Sequence, residues 1–133
     1  MYLIDTDILI YSLKNQPQVK ENFQKHALKP KAISVVSYGE LYFGAVKSKY
    51  SENNLAAVRR ISELFPLIDV TRSVMETFAE IKATLQKSGN PLPDLDLIIA
   101  ATALSVNYTL VTNNERHFRK VADLKIANWT KIS

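Results

Sequence analysis

The sequence has no cysteine, which excludes disulfide bridges and thiolate metal sites and leaves oxygen and imidazole as the available metal donors. Histidine is scarce too, with 2 in 133 residues, so any metal site would rest mainly on carboxylates. Glycine and proline number only 3 and 5 while 47% of the residues are hydrophobic, a balance that excludes fibrous and disordered classes and allows a real core. No apolar run approaches the roughly 20 residues of a membrane-spanning helix. The start, Met1-Tyr2-Leu3-Ile4-Asp5, also lacks the basic and long apolar segments of a signal peptide. The expectation is a single domain over residues 1–133, without a membrane segment, in the reducing cytoplasm.

What is present is an alternation of strand-like and helix-like segments. Tyr2-Leu3-Ile4 is a short apolar run ending in Asp5, and Ile8, Leu9, Ile10 and Leu13 follow at helical spacing. A second amphipathic segment runs from Pro17 to about Leu28, and Pro30 breaks it before the strand candidate Ile33-Ser34-Val35-Val36. Ser37 is placed to cap a helix carrying Leu41, Tyr42, Ala45 and Val46, and another helix is expected from about Asn54 to Phe65. Leu67-Ile68-Asp69-Val70 reads as a strand, and Thr71 opens a long helix with Val74, Phe78, Ile81 and Leu85 on one face. After Pro91 and Pro93, the stretch Leu97 to Leu104 is apolar on more than one face, as a buried central helix would be. Thr109 to Thr112 is a strand, Asn113 to Phe118 a turn with a short helix, and Leu124 to Ala127 an edge strand. Strands separated by helices predict an α/β sandwich of three layers with a short, mostly parallel sheet flanked by helices. Ligands of such sheets bind beyond the carboxyl ends of the strands, which here means at Asp5 and at Asn113-Asn114.

Acidic residues gather at these same strand ends and helix starts: Asp5 with Asp7, Glu40, Asp94 with Asp96, and Glu115. Structural readings stand beside the functional one. Asp7 and Asp94 would serve as helix caps, and Ser37-Tyr38-Gly39-Glu40 matches a capping box in which the Glu turns back to the backbone. Asp96 in a first helical turn gains from the helix dipole with no function needed. Asp5 resists such a reading best, because a carboxylate finishing an apolar strand is desolvated unless a cation or donors receive it. These six are drawn from 13 acids, so the rest of the chain carries 17 basic residues against 7 acidic ones. An acidic pocket in a basic body suits an enzyme that holds Mg²⁺ or Mn²⁺ with carboxylates while Lys and Arg attract a phosphate backbone.

Four motifs in order then carry a family resemblance: Leu3-Ile4-Asp5-Thr6-Asp7-Ile8, Ser37 to Gly44, Gly89 to Ala101 around Pro93-Asp94-Leu95-Asp96, and Leu110-Val111-Thr112-Asn113-Asn114 with Phe118. With the closing Asn128-Trp129, the chain resembles the PIN-domain VapC toxins from end to end. The resemblance implies a metal-dependent endoribonuclease that leaves a 5′-phosphate and a 3′-hydroxyl, usually a homodimer, with RNA, in some members tRNA, as substrate and a VapB-type antitoxin as partner. It implies Mg²⁺ as cofactor, with Mn²⁺ able to substitute, and Asp5, Glu40 and Asp96 as metal ligands and catalytic acids. It selects Asp96 over Asp94. Where many PIN domains carry a fourth acid, this chain has Asn113-Asn114-Glu115, so Asn114 is expected as a neutral catalytic position with Glu115 as its alternative.

Two other readings compete. Asp5-Thr6-Asp7 after a strand superficially resembles the haloacid-dehalogenase motif, but Leu9 breaks that pattern. A non-catalytic PIN-like RNA-binding module would be expected to have lost a core acid, and Asp5, Glu40 and Asp96 are all present. His26 and His117 are assigned to the surface, with a substrate contact as a lesser role for His117. Tyr11, Tyr38, Tyr42 and Phe43 are read as core or interface side chains.

Overall fold

A computed structural model describes residues 1–132. The chain runs β1 (Tyr2–Ile4), α1 (Thr6–Leu13), α2 (Pro17–Lys25), β2 (Lys31–Ser34), α3 (Val35–Val46), α4 (Ser51–Leu64) and β3 (Leu67–Ile68). It continues through α5 (Arg72–Lys87), α6 (Asp94–Val106), β4 (Thr109–Val111), α7 (Glu115–Phe118) and β5 (Ile126–Ala127).

The strands form one sheet in the order β3-β2-β1-β4-β5, and every pairing is parallel. Parallel pairing requires crossovers, and the helices supply them on both faces. Adjacent strand residues accordingly enter different cores. Leu3, Ala32 and Leu110 face a cluster with Leu85, Leu97, Ile99 and Ala103 of α5 and α6. Ile4, Ile33 and Val111 face Ile8, Leu9, Val19, Leu41, Val58 and Trp129 on the other side. The apolar stretch of α6 is buried as expected, with Leu97, Ile99, Ala100, Ala101, Thr102 and Ala103 all inaccessible. Asn107 ends α6 in the left-handed conformation, φ 57°, a geometry Asn tolerates and β-branched residues do not, and the chain turns there into β4.

Several expected boundaries move. β2 ends at Ser34, and Val35 and Val36 belong to a helix despite their β-branched side chains. Ser34 accepts a hydrogen bond from the Val36 N–H at 3.1 Å and is the cap of α3. Ser37 is therefore not a cap, and the Ser37–Glu40 capping box does not form. Ser37 lies buried in α3 with a hydroxyl that has no partner among the described residues. Asp94 is not a cap either: Pro93 holds that position without a side-chain bond, and Asp94 extends outward to Lys82 Nζ at 2.9 Å. α4 begins three residues earlier than expected, at Ser51, while β3 and β5 are two-residue strands.

The chain builds β1, β2 and β3 outward in one direction, then crosses back to place β4 on the other side of β1. The direction of winding thus reverses between β1 and β4. Sheets of this kind open a crevice at the carboxyl ends of the two strands flanking such a reversal.

Candidate active site

Asp5 and Thr112 follow immediately after β1 and β4, so both stand at the mouth of this crevice. Asp5 caps α1, its Oδ1 accepting the Thr6 N–H at 2.8 Å, while Oδ2 accepts the Thr112 hydroxyl at 2.8 Å. Only 6% of Asp5 is exposed. Burial, then the charge of Asp7, push its carboxyl up to about 7, and the charge of Asp96 adds to the rise. The bonds from Thr112 and Thr6 oppose the shift without cancelling it.

Asp7 lies in the first turn of α1 and bridges two elements, accepting from Ile8 N–H at 2.7 Å and from Asn113 N–H at 3.0 Å. Its carboxyl is raised, chiefly by burial. Asp96, in the first turn of α6, is raised for the same leading reason, with the nearby His117 opposing. Glu40 projects from α3 and accepts the Thr6 hydroxyl at 2.8 Å, which ties it to the turn carrying Asp5 and Asp7. No Lys or Arg forms an ion pair with Asp5, Asp7, Glu40 or Asp96 among the described residues. Desolvated carboxylates without cations raise one another's proton affinity, and a divalent ion relieves that repulsion.

The turn after β4 supplies the rest. Asn114 donates its N–H to Thr112 Oγ1 at 3.0 Å, and its amide nitrogen lies 2.9 Å from His117 Nδ1. That same Nδ1 is 3.7 Å from Asp96 Oδ2. His117 is thus a pocket residue rather than the surface residue its sequence context suggested. Glu115, the alternative fourth acid, is committed elsewhere: it accepts from Lys131 Nζ at 2.7 Å, Asn128 Nδ2 at 2.9 Å and Arg119 at 3.1 Å. Hydrogen bonds from Lys131 and Asn128 lead in holding it down at about 2. Asn128 and Thr130 also donate to Asn113 Oδ1, each at 3.1 Å, so the segment after β5 straps the turn in place.

Of the residues singled out in the sequence, Asp5, Asp7, Asp96 and Asn114 meet around this crevice, and Glu40 joins through Thr6. Asp94 and Glu115 do not. Thr6, Thr112 and Asn128 lie within the motifs but no role was assigned to them there, and Thr130 and Lys131 carry no recognisable signal beyond their polarity near a strand end. His26 is half-buried and stacks on Trp129, with centroids 5.0 Å apart and planes 5° from parallel, so it belongs to the core edge and not to open surface. Beside the site, α1, α3 and α4 leave a groove of about 350 Å³ lined by Ile10, Leu13, Glu40, Leu41, Gly44 and Val58.

The PIN domain model matches residues 2–124. Ribonuclease VapC2 of Haemophilus influenzae is 36% identical over 129 residues, which cover 96% of this chain and 97% of that protein. The tRNA(fMet)-specific endonuclease VapC of Shigella flexneri is 34% identical over 97% of this chain and 98% of its own. Among solved structures, VapBC2 from Rickettsia felis, bound to a DNA fragment from its promoter, superposes with a TM-score of 0.90 at 30% identity, covering 96% of this chain and 98% of that one. With the crevice acids standing where the four motifs meet, the chain belongs to the PIN-domain family and, within it, to the VapC ribonucleases.

Proposed function

We propose that this chain is a divalent-metal-dependent endoribonuclease and the toxin of a VapBC-type pair, using Mg²⁺ with Mn²⁺ as a substitute. The observation that carries the metal dependence is Asp5: a buried carboxyl at a crevice mouth, raised to about 7 beside two further acids, with no cationic side chain paired to it among the described residues. The donor set is all oxygen, as hard divalent ions prefer. Among the described residues no three acid or imidazole side chains are gathered closely enough to hold a metal ion as they stand, so waters would have to complete its coordination.

In this reading Asp5, Glu40 and Asp96 would hold the ion. When bound, the ion supplies Lewis-acid polarisation of a phosphodiester and lowers the pKa of water for hydrolysis. The chain's own groups set the stage for it. Thr112 and the Thr6 N–H orient the two Asp5 oxygens, and the Thr6 hydroxyl does the same for Glu40. Asn114, whose amide nitrogen is held by His117, would orient a phosphate oxygen or a water in this reading. Outside the six acids near strand ends, 17 basic residues against 7 acidic ones provide the attraction for an RNA backbone.

The name of the Shigella relative makes tRNA the first substrate class to try. The likeness to solved VapBC complexes supports a VapB-type antitoxin as partner. The groove between α1, α3 and α4 suits its apolar residues, and because Glu40 lines that groove an Arg of the partner would reach the acids and form bidentate bonds there. Phe43, Val46 and Tyr50, all more than half exposed, support a homodimer. In this reading the reaction is cytoplasmic, where cellular RNA would be met. No helix among the described residues is long and apolar enough to cross a membrane.

The test is cleavage of tRNA and of total RNA by pure protein, with and without EDTA, followed by mapping of the new ends. Cleavage abolished by EDTA and restored by Mg²⁺ or Mn²⁺ is expected. Undiminished cleavage in EDTA would overturn the metal reading, and RNA binding without cleavage under any metal would leave only a binding module.

A further inference from the structure

We propose that Asn128 is a positioning residue for RNA cleavage, fixing through its side-chain amide the turn after β4 that orients Asp5 and Asp7. The inference rests on the nuclease reading above and extends it to a residue that acts through others.

The whole hydrogen-bonding capacity of this amide is used. Nδ2 donates one proton to Glu115 Oε2 at 2.9 Å and the other to Asn113 Oδ1 at 3.1 Å. Oδ1 accepts the Thr130 N–H at 3.0 Å and the Thr130 hydroxyl at 2.7 Å. That hydroxyl has a single proton and lies farther from Asn113 Oδ1, at 3.1 Å, so Asn128 is the chief donor to Asn113. From there the bonds run into the crevice. Asn113 donates its N–H to Asp7 Oδ2 at 3.0 Å. Asn114 donates its own to the Thr112 hydroxyl, which donates in turn to Asp5 Oδ2. One short turn thus orients two carboxylates while its Asn113 stands exposed to solvent.

An exposed turn held by a few bonds opens locally at little cost unless something rigid backs it. The strap is that backing. Trp129 is fully buried in the core, and the buried Asn22 of α2 donates from Nδ2 to the carbonyls of Trp129 and Lys131, each at 2.9 Å. The strap is therefore fastened on both sides of Thr130, and Asn128 reaches from it to the turn. Misplacing reacting groups by about 1 Å costs on the order of 100-fold in rate. Loosening the turn should act on kcat, since Asp5 and Asp7 lie at the reacting centre, and leave KM to the basic surface that attracts RNA.

The experiment compares the full wild-type chain with two variants, circular dichroism confirming the fold. Asn128→Ala removes the amide. Asn128→Asp keeps its shape and the acceptor for Thr130 while removing both donors, and it decides the matter if the alanine variant fails to fold. Amide hydrogen exchange in EDTA follows the N–H of Asn113 against that of Ile33, which is bonded to the Pro66 carbonyl at 3.0 Å on the other side of β1. Exchange at Asn113 should quicken about tenfold, as the loss of one or two hydrogen bonds gives, with Ile33 unchanged. In cleavage of tRNA with Mg²⁺ or Mn²⁺, kcat should fall about tenfold or more while KM stays within about threefold. Unchanged exchange at Asn113, equal quickening at Asn113 and Ile33, an unchanged kcat, or a loss carried by KM alone overturns the proposal and leaves the nuclease reading standing. A folded wild-type chain that cleaves no RNA under any metal overturns both.

Discussion

Asp5→Asn separates a carboxylate held under strain for ion binding from one that only caps a helix. Burial, then the charge of Asp7, carry the Asp5 carboxyl from 3.8 to about 7 in the folded chain. Between those two values the folded state keeps a proton that the unfolded chain has released, so stability falls as pH rises through the window. At about 1.4 kcal/mol per pH unit, the interval from about pH 5 to about pH 7 is worth about 3 kcal/mol. Asp7 and Asp96, raised first by burial, act in the same direction. Glu115 acts oppositely, but only as pH falls from 4.5 toward about 2, below this window. Asn keeps an oxygen for the Thr6 N–H and removes the charge. In EDTA the variant should therefore be more stable than the wild-type chain near pH 8, with the advantage smaller by about 3 kcal/mol near pH 5. Mn²⁺ should narrow the gap near pH 8 by stabilising only the wild-type chain, by about 2.7 kcal/mol at a hundred times its Kd. Urea denaturation at both pH values, with EDTA or Mn²⁺, reads all four combinations. Equal destabilisation of Asp5→Asn at both pH values in EDTA would refute the reasoning and return Asp5 to a capping role.

Asp96→Asn should lose at least about 100-fold in RNA cleavage with its circular dichroism unchanged, whereas Asp94→Asn, which breaks only an exposed pair with Lys82, should keep its activity and change stability by less than about 1 kcal/mol. Ser37→Ala removes a buried hydroxyl that has no partner among the described residues, so denaturation should show it neutral or more stable by about 1 kcal/mol; a loss of that size would instead fit a capping serine. Ser34→Ala should show that loss of about 1 kcal/mol, since Ser34 is the residue that caps α3. Glu115→Gln should lower the melting temperature by a few degrees at neutral pH, roughly the effect of losing about 1 kcal/mol of hydrogen bonding, and the difference should vanish as pH falls toward 2, where wild-type Glu115 is itself protonated.

Much of the architecture could be read from the order of residues because periodicity reports which faces are apolar. The run Leu3-Ile4 ending in Asp5, the all-round apolar α6, and the alternation of strands with helices each follow from local pattern, and together they put acids at strand ends. Asp5 and Asp96 were legible for that reason, and family likeness chose between Asp94 and Asp96 where pattern alone left both open. Packing decided the rest. Ser34 and Ser37 are equally good caps in isolation, and the register of β2 against β1 and β3 ended the strand at Ser34 and buried Ser37. The crossover that brings β4 beside β1 lets Thr112 reach Asp5 from 107 residues away, a pairing no local pattern encodes. In the turn after β4, Glu115 was the acid in view. The strap from Asn128 to Lys131 captures it, and His117 is left facing Asp96. Burial patterns repeat along the chain at the period of a helix or strand and so survive in the sequence. Polar partners within hydrogen-bond reach are chosen by which distant segments the folded core brings together, and that choice exists only in three dimensions.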